Sequence, residues 1–286
     1  MKLLVTGAGG QLGVDVVTHA ESVGDDVVAV DKAGLDITDP VAVRELLHAV
    51  RPEAVINAAA YTAVDACETN EALAFAVNAD AVGHLAAACE LLGVHLVHVS
   101  TDYVFDGTLD RPYREDDATN PQSAYGRSKL AGEQAAGPVA AIARTSWVCG
   151  EHGNNMVELV LRLASNPDQA LAFVDDQRGH PTFTADLAPA LRQLAVDRRV
   201  GIHHLTNQGA VSWYEFVREI LSAAGHDPDR VVPISTSDLD PPRPAPRPAN
   251  SVLDNAAWCA AGLPALRDFR APLAELVAKL RGQTSG

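Results

Sequence analysis

Lys2-Leu3-Leu4-Val5-Thr6-Gly7-Ala8-Gly9-Gly10-Gln11-Leu12-Gly13 is the stretch on which the fold turns. A short apolar run suits a buried strand, and glycines at 7, 10 and 13 make a tight turn. Apolar residues then recur at Leu12, Val16, Val17 and Ala20, which is helical spacing. A second strand over 26–30 ends at Asp31. Together these form a βαβ unit whose G-x-x-G-x-x-G turn is a variant of the dinucleotide fingerprint. Glycine lets the backbone approach a pyrophosphate, and the helix N-terminus offers unpaired amide donors. On this reading Gly7, Gly10, Gln11, Leu12 and Gly13 hold a dinucleotide, and Asp31 accepts hydrogen bonds from its adenosine ribose.

Working outward, the pattern repeats. Leu35-Asp36-Ile37-Thr38-Asp39 is a loop, with Asp36 and Ile37 assigned to the same nucleotide and Asp39 an N-cap before Pro40. A helix over 41–50 leads to a buried strand over 53–57, which ends in Asn57-Ala58-Ala59-Ala60-Tyr61-Thr62. Small residues at the carboxyl end of a parallel strand leave room for a flat ligand, so Ala58, Ala59, Ala60 and Thr62 join the cofactor set. After a helix over 74–92, a strand over 95–99 delivers Ser100-Thr101-Asp102-Tyr103 to that same edge. Repeated strand–helix alternation predicts an α/β fold, a doubly wound parallel sheet of Rossmann type.

The next helix carries Tyr125-Gly126-Arg127-Ser128-Lys129, with Pro121 and Ser123 as start signals. Positions four apart share a helix face, so the Tyr125 phenol and the Lys129 ammonium converge. A positive charge lowers a phenol's pKa from about 10, which would suit a proton donor to a keto oxygen gaining a hydride.

Composition limits the alternatives. The chain has 286 residues and a formal net charge of -15, which argues against nucleic acid as a partner. No run of about 18 apolar residues suggests a membrane span, and glycines 7 to 13 interrupt the apolar start too early for a signal peptide. Four scattered cysteines without a C-x-x-C pair read as reduced thiols in a cytoplasmic protein.

The glycine turn, the N-A-A-A segment, Ser-Thr-Asp at a strand end and Y-x-x-x-K together resemble the extended short-chain dehydrogenase/reductases. Longer strings narrow the resemblance to the dTDP-4-dehydrorhamnose reductase family. They are 99–107 (VSTDYVFDG), 125–133 (YGRSKLAGE), 144–148 (RTSWV), 176–182 (DQRGHPT) and 247–251 (RPANS). The resemblance implies an NAD(P)H-dependent reduction of dTDP-4-dehydro-L-rhamnose to dTDP-L-rhamnose, a precursor of cell-surface polysaccharide. It assigns catalysis to Thr101, Tyr125 and Lys129, with Lys129 also at the nicotinamide ribose, and the sugar pocket to Thr101, Asp102, Tyr103 and Trp147. It does not separate NADH from NADPH, since Asp31 favours a free ribose hydroxyl and Lys32 tolerates a phosphate.

Related dehydratases carry Asp-Glu after the Ser/Thr; here Tyr103 follows Asp102, which disfavours dehydration. A nucleotide-sugar epimerase and a non-catalytic regulatory subunit of the same fold are the other readings. Cys149 stands where the family more often has tyrosine and is expected to loosen the pocket wall. Some family members are magnesium-dependent dimers, but no carboxylate cluster in this sequence marks a metal site; a monomer or a homodimer is expected.

The second half weakens in alternation after Gly150. Residues 1–150 are expected to form the NAD(P)-binding domain, with a return segment near 182–205, and 151–286 a smaller α/β substrate-binding domain. Gln177 and Arg178 lie in a loop shaped by Gly179 and Pro181 and are expected to face the ligand. The proline-rich run 241–248 is either a stiff linker or a loop closing over the sugar nucleotide, with Arg247 meeting a phosphate bidentately.

Overall fold

The computed structural model describes residues 1–166 and 169–283. The chain begins β1 (Lys2–Thr6), α1 (Gln11–Ser22), β2 (Asp26–Val30), α2 (Pro40–Val50) and β3 (Ala54–Asn57). Leu3, Leu4 and Val5 are fully buried, the mark of a central parallel strand covered on both faces. Asp39 caps α2, accepting from the amides of Val41 and Ala42 with Pro40 in the first turn.

Next come α3 (Val64–Cys67), α4 (Glu71–Phe75), α5 (Ala81–Leu92), β4 (His95–Thr101), α6 (Ala124–Ala136) and β5 (Ala141–Thr145). A π-helical turn, Ala76–Asp80, joins α4 to α5. The resulting helix, Glu71–Leu92, is long and apolar enough by composition to cross a bilayer. In this structure Val82, Leu85 and Ala88 bury one side of it against the sheet. Ser123 caps α6 by accepting from the Gly126 amide, so both Tyr125 and Lys129 lie within the helix.

The remainder is β6 (Val148–Cys149), α7 (Met156–Ala164), β7 (Leu171–Val174), β8 (Arg178–Gly179), β9 (Thr182–Phe183), α8 (Thr184–Val196) and β10 (Gly201–His204). Then follow β11 (Val211–Ser212), α9 (Trp213–Ala223), β12 (Val231–Ile234), α10 (Ala256–Ala260) and α11 (Arg270–Gln283).

Six parallel strands form the main sheet in the order β10-β5-β4-β3-β1-β2. The chain leaves β1 to one side for β2 and returns to its other side for β3, so a crevice opens between the ends of β1 and β3. Leu187, Leu191 and Leu194 of α8 pack with Val16 of α1 on one face, and α2 and α5 cover the other. Trp258 of α10 joins the first of these cores. A separate core combines Val157 and Val160 of α7, Phe216 and Ile220 of α9, and Leu273 and Val277 of α11. The segment after residue 150 therefore serves two cores: α8, β10 and α10 complete the large sheet, and α7, α9 and α11 build the smaller body.

Candidate active site

The carboxyl ends of four neighbouring strands supply one cavity of about 600 Å3. Gly10 to Leu12 follow β1, Ala58, Ala60 and Thr62 follow β3, Ser100 and Thr101 end β4, and Ser146 and Trp147 follow β5. Tyr125 and Lys129 enter the same cavity from α6.

The glycine turn is a cradle that side chains would fill. Gly7 adopts φ of +70°, and a Cβ there would stand 2.6 Å from the Ala59 nitrogen. A Cβ on Gly13 would collide with the Gly7 carbonyl. With the open N-terminus of α1 above it, this close-packed turn fits a dinucleotide pyrophosphate. Gln11 is already engaged: its Nε2 donates to the Val148 carbonyl at 2.9 Å and its Oε1 accepts from Asn155 at 3.0 Å, tying the turn to the smaller body. Asp31 is exposed beside Gly9, its Oδ1 accepting from the amides of Ala33 and Gly34. Asp36 accepts from Thr38, and the Ile37 side chain is buried in the core under α2. Asp31, Asp36, Ile37 and Ala59 lie outside the cavity lining.

Thr101 lines the cavity close to Tyr125. Its hydroxyl donates to Asp102 Oδ1 at 2.9 Å, and its nearness to the phenol opposes the rise in the Tyr125 pKa. Tyr103 meets the Tyr125 ring edge-on, with centroids 5.5 Å apart. Burial raises the Tyr125 phenol above its ordinary pKa. The expected lowering by Lys129 is therefore not what this structure shows, because desolvation is the larger effect and the amine is directed elsewhere. Lys129 Nζ donates to the Val99 carbonyl at 2.6 Å and lies 3.4 Å from His98 Nε2. Burial lowers the Lys129 pKa to about 8, against the attraction of Glu133. Asp102 is 1% exposed and burial pushes its carboxyl up to about 6. Its Oδ2 and the Thr145 hydroxyl lack hydrogen-bond partners although both residues line the cavity.

Helix α6 is held in place from below. Arg144 of β5 grips Glu133 through Nε at 2.9 Å and Nη2 at 2.7 Å, and Ser100 of β4 donates to the same carboxylate at 2.5 Å. Asn78, inside the π turn, bonds both backbone groups of Tyr61 and the Ser128 hydroxyl. Gly126 and Gly132 allow the helix to press against the carbonyls of Tyr103 and Asn78.

At the outer end, the Trp147 indole stacks on Trp213 at 3.6 Å between centroids. Trp147 adopts φ of +45°, an uncommon conformation for a bulky residue. A Cβ on Gly179 would stand 2.7 Å from this indole, so that glycine makes room for it. The structure does not bring Gln177, Arg178 or Arg247 into the lining. Gln177 is buried and donates to Thr236, and Arg178 pairs with Glu215. Arg247 places its fork on Asp65, with contacts of 2.5 and 2.9 Å, and Asp65 also draws Arg243 to 3.6 Å. Cys149 is packed in the smaller body's core and stands outside the cavity wall, where its departure was expected to act. Val64, Ser146, Asn154 and Trp213 line the cavity and were not singled out from the sequence. Trp213 had a readable signal: it opens a helix behind a Ser212/Glu215 capping box. Among the described residues, no group of three or more His, Cys, Asp or Glu is placed to hold a metal ion.

A doubly wound parallel sheet, a glycine cradle at its switch point and a Thr/Tyr/Lys set at one cavity define an extended short-chain dehydrogenase/reductase fold. More narrowly, the chain belongs to the RmlD substrate binding domain family, which matches residues 1–282. It is 46% identical over 293 residues to a dTDP-4-dehydrorhamnose reductase of Mycobacterium tuberculosis (strain ATCC 25618 / H37Rv), covering 99% of this chain and 95% of that one. The crystal structure of a dTDP-4-dehydrorhamnose reductase from Clostridium acetobutylicum superposes with a TM-score of 0.94 at 40% identity, covering 98% of this chain and 100% of that one. A Bacillus anthracis dTDP-4-dehydrorhamnose reductase in complex with NADP gives 0.92 at 34% identity, covering 97% and 99%.

Proposed function

We propose that this protein reduces the 4-keto group of dTDP-4-dehydro-L-rhamnose with NADPH or NADH, giving dTDP-L-rhamnose for cell-surface polysaccharide. The observation that carries the reading is the convergence of Thr101, Tyr125 and Lys129 on one cavity beside the glycine cradle. The near full-length similarity to named reductases supplies the substrate class. The NADP complex of the Bacillus anthracis relative favours NADPH as the cofactor to test first.

When bound, a reduced nicotinamide supplies the hydride. Gly7, Gly10 and Gly13 shape the backbone that holds the dinucleotide, with Ala58, Ala60 and Thr62 along its path. Because burial keeps the Tyr125 phenol protonated, it enters the step as an acid and gives its proton to the carbonyl oxygen as negative charge develops there. Thr101 fixes that oxygen from the other side. Lys129 adds positive charge next to the acid in its protonated form. Asp102 and Tyr103 shape the sugar pocket, with the stacked Trp147 and Trp213 as its apolar wall. Arg247 is one step removed, anchoring the proline-rich strap to Asp65.

The protein acts in the cytoplasm on a nucleotide sugar, as a monomer or a homodimer, with neither nucleic acid nor membrane as a partner. Its charge of -15 supports the exclusion of polyanions. The test is absorbance at the reduced-nicotinamide band with dTDP-4-dehydrorhamnose supplied. Cofactor oxidation matched one to one by dTDP-L-rhamnose is expected, and an epimerase would consume none. Tyr125→Phe should retain cofactor binding and lose most turnover; undiminished turnover would remove the acid from this scheme.

A further inference from the structure

Behind the catalytic helix, three side chains stand in register across adjacent parallel strands. Thr6 of β1 pairs with Asn57 of β3, and Asn57 pairs with His98 of β4. All three are buried, and the row ends at Lys129, which is 2% exposed. Thr6 donates its hydroxyl to Asn57 Oδ1 at 2.7 Å, and Asn57 Nδ2 lies 3.1 Å from His98 Nδ1. His98 Nε2 then faces Lys129 Nζ at 3.4 Å. A Cβ on Gly132 would lie 3.4 Å from that same ring nitrogen, so α6 has a glycine where the imidazole reaches it.

The direction of every bond in the row follows from one group that can only donate. The Ala59 amide donates to Asn57 Oδ1 at 3.2 Å, so the oxygen of Asn57 must be on that side. Its NH2 therefore faces His98 Nδ1, which must accept. A neutral imidazole has one acceptor nitrogen and one N–H, so the proton is on Nε2. That N–H points at Lys129. An ammonium has three donors and no lone pair, so it cannot accept this bond, whereas a neutral amine can. The Val99 carbonyl accepts from either form, more strongly from the ammonium.

We propose that His98 is a positioning residue for Lys129: locked by Asn57 as the Nε2–H tautomer, it presents a donor to the lysine amine and favours its neutral form. Lys129 then gives up and regains its proton readily instead of holding a fixed charge. The other groups facing it are Tyr125 and Glu133 on its own helix. Glu133 favours the ammonium, but its carboxylate is occupied by Arg144 and Ser100. Burial alone is enough to keep His98 itself neutral, and burial of Lys129 acts in the same direction as the geometry, lowering its pKa.

This inference rests on the reading of Lys129 as catalytic only for its effect on rate, so two measurements separate the questions. Long-range 1H–15N spectra of protein labelled on histidine, with His98 assigned by loss of its signals in His98→Gln, report the tautomer directly. The expected pattern is a protonated ε nitrogen and a bare δ nitrogen, unchanged from about pH 6 to pH 9. A protonated δ nitrogen, or titration within that range, overturns the proposal whatever Lys129 does in catalysis. The pH profile of kcat is the second readout. Asn57→Asp supplies a carboxylate that accepts a hydrogen bond from His98 Nδ1–H, so the ring proton moves from Nε2 to Nδ1 and Nε2 becomes an acceptor for the ammonium. The alkaline limb should then move up by about one pH unit, and His98→Gln, whose carbonyl can turn to the lysine, should move it the same way. A limb that stays in place in both variants contradicts the proposal. Lys129→Met tests the reading of Lys129, and undiminished turnover there would remove the lysine from catalysis while leaving the tautomer result intact.

Discussion

Asp102→Asn should make this protein more stable and less active, and the gain in stability should depend on pH. The carboxyl group is 1% exposed and accepts from Thr101; its Oδ2 has no partner in good hydrogen-bond geometry, although Ser251 is near enough to oppose the effect of burial. Burial raises its pKa from 3.8 to about 6. Below the unfolded value the group is protonated in both states and costs nothing. As pH rises from the unfolded value to the folded one, the unfolded chain ionises while the folded protein stays protonated, and stability is lost. Above about pH 6 the full penalty remains. At about 1.4 kcal/mol per unit, a rise of about two units corresponds to about 3 kcal/mol.

Asparagine has nearly the same shape, keeps an acceptor for the Thr101 hydroxyl and carries no charge. Chemical denaturation of variant and wild type should therefore differ by up to about 3 kcal/mol at pH 8, in favour of the variant, and converge toward pH 4. The cofactor oxidation assay should show a raised KM for the sugar nucleotide, because a carboxylate that can accept from sugar hydroxyls has been replaced by an amide. A variant less stable at pH 8, or a difference that does not change with pH, would refute the view that an ionised Asp102 is retained at the expense of stability.

Three further substitutions probe the supports of the site. Glu133→Gln leaves the Arg144 guanidinium buried without its counter-ion; a loss of about 3–5 kcal/mol in denaturation is expected. Gly179→Ala should push the Trp147 indole off Trp213, seen as a change in tryptophan fluorescence and a several-fold rise in KM, with the melting temperature lowered by a few degrees. Asp65→Ala releases Arg247, Arg243 and the Ala245 amide from one carboxylate. Being partly exposed, this anchor should contribute about 1 kcal/mol or less to stability. KM should rise several-fold with kcat little changed, as measured by the same absorbance assay.

How much of this was legible in the sequence depended on the range of the interaction. The glycine turn, the Asp39 and Ser123 caps and the spacing of Tyr125 and Lys129 are local, and local stereochemistry made them readable in residues 2–13, 39–42 and 123–129. The two-residue strands β6, β8, β9 and β11 are too short to show any period. Arg247 illustrates a long-range partner that no local pattern announces. A guanidinium among prolines reads as an anion site, but the anion it holds is Asp65, 182 positions away in sequence. Lys129 is a third case. From spacing alone it is a charge that lowers the pKa of Tyr125, and that inference assumes water-like surroundings for both groups. Once both are buried, desolvation acts on each in the direction that disfavours its charged form, raising the phenol and lowering the amine. The motif thus specifies which groups meet, while their protonation is set by strands β1, β3, β4 and β5, whose side chains exclude water from beneath the helix. The same strands carry Thr6, Asn57 and His98, so the row of side chains that reaches Lys129 is built from residues that a search for motifs passes over as core.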